Sequence, residues 1–172
     1  MPKPDPVEAA FWAMIEAAWK PRGAKVNAQR VALAKREPGE DEDDELDTEA
    51  VDAALDDVIE ALRAAYQQLS RDDLAAMDRV LERKLYDLDR QDIQAVTDGS
   101  DDGFLYARGY IVALGKDFYD AVLDNPEVAI IDAECEEMCY LPAHVHKDRF
   151  GAFPTGDKAI SRETGSNKAG WE

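Results

Sequence analysis

The chain reads as all-α: a compact, irregular bundle of about six helices with a disordered acidic linker and a mobile C-terminal tail. Three observations predict this. Apolar residues recur at helical spacing in several separate stretches. Residues that start and stop helices bound those stretches. Nowhere in the 172 residues do two alternating runs flank a hairpin turn. The length suits one domain, and a 45% hydrophobic content is enough to build its core. We expect a single helical domain over 5–146, with 22–47 a charged linker or arm inside it, and a flexible tail over 147–172.

The elements follow in order. Asp5 caps and Pro6 opens a first helix carrying Val7, Phe11, Met14, Ile15, Ala18 and Trp19, which Pro21 ends. Residues 25–36 are basic with few large apolar groups, and suit at most a short exposed helix before Pro38-Gly39. Thr48 is placed to cap the next helix. Its stripe is Val51, Ala54, Leu55, Val58, Ile59, Leu62, Ala65, Tyr66 and Leu69, the clearest amphipathic pattern in the chain. Ser70 starts another, with Leu74, Met77, Val80, Leu81, Leu85 and Leu88. A short step holds Ile93 and Val96. The turn Asp98-Gly99-Ser100-Asp101-Asp102-Gly103 precedes Phe104 to Leu114, apolar nearly all round as a central buried helix would be, with Gly115 at its end. Phe118, Tyr119, Val122 and Leu123 form a short helix stopping near Asn125-Pro126. A final helix is expected over about 127–140, ending before Pro142. Beyond Lys147 the chain is polar and aperiodic, which suggests a mobile tail.

Charge narrows the function classes. The net charge is −18. Residues 1–38 sum to +3, residues 39–146 to −22 and residues 147–172 to +1. Eight of the ten residues over 40–49 are acidic, a composition that repels itself and favours a solvated linker. Such a body opposes direct contact with phosphate backbones and anionic membranes. No apolar run approaches the roughly 18 residues of a membrane span, and the Met-Pro-Lys-Pro-Asp-Pro start has no apolar signal region. The cytoplasm is the expected compartment.

Three stretches resemble the DUF4240 family, bacterial proteins of unknown function. Phe11-Trp12-Ala13-Met14-Ile15-Glu16 is similar to the family's amino-terminal Phe-Trp helix. Ser100-Asp101-Asp102-Gly103-Phe104-Leu105-Tyr106 with Arg108 is the second, and Leu123-Asp124-Asn125-Pro126 leading to Glu134-Cys135-Glu136-Glu137 the third. The resemblance spans about residues 7–141. Ala107 and Tyr110 depart from it, standing where larger aromatics are expected, and the 22–47 segment is longer than usual. The resemblance implies a helical domain and carries no activity with it.

Several residues are candidates for binding. Ser100, Asp101 and Asp102 sit at a helix start, where they either cap the helix or present carboxylates to a ligand. Arg108, on an apolar helix, needs a carboxylate or a route to water, and Asp101 or Asp102 is within reach along the sequence. Trp12 and Tyr110 are either core residues or exposed aromatics of a partner surface. Cys135, Cys139, His144 and His146 offer the ligand types of a zinc site, but with poor spacing. No nucleophile elbow, phosphate loop or dinucleotide fingerprint occurs.

The leading expectation is a non-enzymatic acidic module that binds a basic protein through Trp12, Ser100, Asp101, Asp102, Arg108 and Tyr110, without a cofactor. An inhibitor of the immunity or antitoxin kind is one use. The alternatives are a metal-binding protein or metal-dependent hydrolase, built on Asp101 and Asp102 or on the Cys/His group, and a DNA mimic.

Overall fold

The computed structural model describes residues 2–38, 46–97 and 99–172. Eight α-helices and no strand occur among them: α1 (Pro6–Trp19), α2 (Ala24–Lys35), α3 (Glu49–Tyr66), α4 (Arg71–Asp87), α5 (Gln91–Thr97), α6 (Asp101–Ala113), α7 (Lys116–Asp124) and α8 (Leu141–Phe150). The all-helical class stands, with more helices than the periodicity resolves. The acidic run over 40–45 lies outside the described residues.

α6 is the hub. Burial of Phe104, Leu105, Ala107, Arg108, Gly109, Tyr110, Ile111, Val112 and Ala113 leaves it almost no exposed face. Neighbours α4, α7 and a 3₁₀ turn at Glu137–Tyr140 pack around it. Phe11, Ile15 and Trp19 of α1 are fully buried, and the Trp19 indole donates to Ala113 O at 2.7 Å. Gly115, at φ +102°, turns the chain from α6 into α7, a backbone region that side chains rarely tolerate.

Three of the four N-terminal caps expected from sequence are formed. Asp5 Oδ1 accepts from Val7 N at 2.9 Å, Ser70 Oγ from Asp73 N at 3.1 Å, and Ser100 Oγ from Gly103 N at 3.3 Å. Thr48 departs from the pattern. Its hydroxyl donates to Asp52, while Gln29 of α2 reaches across to accept from Val51 N at 2.8 Å.

That contact belongs to a larger correction. The stretch expected over 22–47 as a charged linker or arm, with at most a short exposed helix, contains α2, which packs on α3 and α7. Leu33 is buried, and Arg30 is held by both Glu16 carboxylate oxygens at 2.7 Å and by Leu114 O at 3.0 Å. A basic, weakly apolar helix becomes part of the body because its one buried cation is paired.

The helix expected over 127–140 is not formed. Residues 126–128 and 137–140 make separate 3₁₀ turns. Pro142 opens α8 instead of closing a helix, because a proline without an N–H is tolerated in the first helical turn.

The expected tail is also packed. Residues 151–172 hold little regular structure, yet Arg162 is buried and Trp171 lies edge-on to Phe104 at 6.1 Å. Arg162 Nη2 stands 2.7 Å from Asp78 Oδ1, and its Nε stands 3.6 Å from Glu82 Oε2. Its Nη1 donates to Cys139 O at 2.6 Å. Polar anchoring holds a segment that has no apolar periodicity to reveal it.

Candidate functional site

A cleft of about 320 Å³ opens where α6, the 137–140 turn, α8 and the C-terminal segment meet. Asp102, Leu105 and Tyr106 of α6 line it together with Glu136, Glu137 and Tyr140. His144, Glu163 and Arg63 complete the lining.

These two groups come this close because of Gly109. A β-carbon there would stand 2.5 Å from Cys135 O and 2.7 Å from Cys139 Sγ. Without it the 135–139 backbone lies directly on α6, and Cys135 N donates to Tyr106 O at 2.9 Å. Glu136, Glu137 and Tyr140 are thereby carried to the rim. Ser100 and the first turn of α6 deliver Asp102 to the cleft.

Asp102, Glu136, Glu137 and Glu163 are all exposed carboxylates. Arg63 brings one cation, already within 3.2 Å of Glu60. The Tyr106 hydroxyl is held above the ordinary tyrosine value, chiefly by the Glu136 charge, with burial and Asp102 adding to it. Burial, then the Glu163 charge, raises Tyr140. The His144 ring stacks on Tyr140 at 6.0 Å. The Tyr140 ring already carries the Arg162 guanidinium, 5.0 Å from its centroid. The acidic rim beside Tyr106 suits an ammonium or guanidinium group, which can meet both charge and π density.

Of the residues singled out from sequence, Asp102 lines this cleft and Ser100 caps the helix that presents it. Asp101 is exposed, and its backbone carbonyl accepts from the Thr164 hydroxyl at 2.6 Å. Arg108 pairs with neither aspartate. It is fully buried, donating to Leu85 O at 2.9 Å, Arg162 O at 2.8 Å and Thr164 Oγ1 at 3.2 Å. Burial lowers its pKa, and Asp89 opposes that shift. A cation this deep finds fixed carbonyl oxygens, while Asp101 and Asp102 sit in the solvated first turn.

The structure buries Trp12 and Tyr110 in the core. Trp12 packs against Phe11 and Tyr119 with ring centroids 5.1 and 5.2 Å away. The Tyr110 hydroxyl donates to Asp52 Oδ1 at 2.8 Å.

The zinc candidates do not come together. Cys135 and Cys139 are buried, and burial pushes both thiols up to about 12. Cys139 Sγ donates to Leu105 O at 3.3 Å. His144 faces the cleft, whereas His146 is buried with Nδ1 2.5 Å from Ala152 O. Among the described residues, no three His, Cys, Asp or Glu side chains converge as a metal site.

Tyr140, Glu163 and Arg63 carry no sequence signal as site residues, and Tyr106 enters only as part of the stretch that resembles the family. They come from α6, the 137–140 turn, the C-terminal segment and α3, and only packing joins them. Glu136 and Glu137 belong to the third stretch that carries the family resemblance, which gives them no role.

No curated protein and no solved structure matches the chain. Residues 42–148 match the family described as "Protein of unknown function (DUF4240)". The match includes α3 to α7, most of α8 and every cleft residue except Glu163, and leaves α1 and its Phe-Trp pair outside. The match covers more than half of the chain, which therefore belongs to the DUF4240 family.

Proposed function

We propose that the protein is a non-enzymatic binding module that captures a basic protein partner, with the acidic cleft as its point of contact. The observation that carries this reading is the convergence of Asp102, Glu136, Glu137 and Glu163 around Tyr106 and Tyr140 in one concave site. Long-range attraction from a body of this charge speeds the encounter, and the cleft then holds one cationic side chain of the partner. An inhibitor of a basic toxin or nuclease is one use of such a module, in the bacterial cytoplasm. The same charge disfavours direct nucleic-acid binding.

An arginine-rich peptide serves as the probe in the test. Its affinity is measured for the parent protein, for the Glu136→Gln/Glu137→Gln variant, and for Asp56→Asn on the exposed side of α3. The cleft variant should bind about tenfold more weakly, with Asp56→Asn near parent. Equal losses in the two variants would show diffuse charge attraction and remove the cleft from the proposal.

A further inference from the structure

The helical body buries four charged residues against the C-terminal segment. Asp89 is fully buried, and among the described residues every hydrogen bond to its carboxylate comes from that segment: Gly165 N at 3.0 Å, Asn167 N at 2.9 Å and the Trp171 indole N–H at 2.8 Å. Arg108, also fully buried, gives Nη2 to Arg162 O and Thr164 Oγ1. Asp78 and Glu82 clasp the Arg162 guanidinium, and Glu82 Oε1 also accepts from Asp157 N at 2.9 Å. Phe104 receives the Trp171 ring.

This arrangement differs from ordinary core packing. Buried charges are costly unless paired, and here much of the pairing comes from an irregular, polar stretch of chain. Asp78, Glu82, Asp89, Phe104 and Arg108 all lie within the family stretch 42–148, and the segment lies wholly beyond it. The body therefore presents a carboxylate pair for a guanidinium, a carboxylate that reads two backbone N–H groups, a cation that reads a carbonyl, and an aromatic face for an indole. These are the parts of a peptide-recognition groove.

We infer that the helical body carries a binding groove for an irregular, turn-containing peptide with a guanidinium anchor and an indole anchor nine residues apart, and that residues 153–172 are its tethered ligand. Arg162 fills the Asp78/Glu82 end and Trp171 the Phe104/Asp89 end. Tethering keeps the groove filled, because the effective concentration of an attached ligand is high. Release of the segment would also withdraw Glu163 from the acidic cleft. The inference does not depend on what that cleft binds.

The test begins with the full chain, folded, with a protease site inserted between the exposed residues Ala152 and Phe153. After cleavage, the mixture is unfolded in urea and refolded with excess fluorescent synthetic peptide of residues 153–172. Labelled peptide should co-elute with the helical body on gel filtration at one per body. Peptides carrying Arg162→Ala or Trp171→Ala should compete about tenfold less well, and Lys158→Ala, at an exposed position, as well as the parent. The substitutions are in the peptide, so folding of the body is not at risk from them. Refolding of the body without bound peptide, failure to refold despite excess peptide, or equal competition by all peptides would each overturn the inference.

Discussion

Burial decides the chemistry of the two cysteines. Each thiol is moved from an ordinary value of 9.0 up to about 12, with desolvation as the main cause. The sign of the linkage follows. The unfolded chain releases its thiol protons first as pH climbs, so the native state loses stability from about pH 9 until the folded thiols titrate near pH 12. Below pH 9 that contribution is fully present. Urea unfolding near pH 10 should show a loss of about 1 kcal/mol per thiol, which Cys135→Ala/Cys139→Ala removes. The double variant isolates the thiols from Tyr66, Tyr110 and Tyr119, which burial also raises. Sequence shows two thiols four residues apart; it does not show that a glycine on another element presses them into the core.

Helix starts are set partly within an element and partly between elements. Ser70 and Ser100 cap α4 and α6 from their own loops, so Ser70→Ala and Ser100→Ala should each cost about 1 kcal/mol in chemical denaturation. The start of α3 behaves differently, because Gln29 supplies the acceptor for Val51 N. Gln29→Ala should therefore cost more than Thr48→Ala by about 0.5–1 kcal/mol. Local caps are legible because a serine three residues before its donor acts alone. A glutamine from a neighbouring helix is invisible until the helices meet. Pro142 shows the same limit: the residue type suits a helix end or a helix beginning, and the packing of α8 on α4 selects the beginning.

At the scale of the whole molecule, the excess charge is borne by residues 39–146, which sum to −22. Their self-repulsion opposes the compact state and is screened by salt. Raising sodium chloride from about 0.02 M to about 0.2 M should raise the melting temperature by a few degrees, since the Debye length falls from about 20 Å to below 10 Å. Calorimetry at several salt concentrations checks this; a melting temperature that falls with salt would mean that exposed ion pairs such as Lys116–Asp120 outweigh the repulsion. Among the described residues, no helix is long and apolar enough to cross a membrane.

The sequence by itself determined the helical class, the core stripes of α1, α3, α4 and α6, the capping serines and the acidic body. Each of these follows from residue type and short spacing, which act over one or two helical turns. Only the tertiary structure decided that Trp12, Tyr110 and Arg108 lie inside, that the basic helix α2 and the C-terminal segment join the body, and where the cleft opens. Those outcomes depend on partners far apart in the chain. Arg162 meets Asp78 across 84 residues and Asp89 meets Trp171 across 82, and no local pattern encodes a buried charge's distant partner.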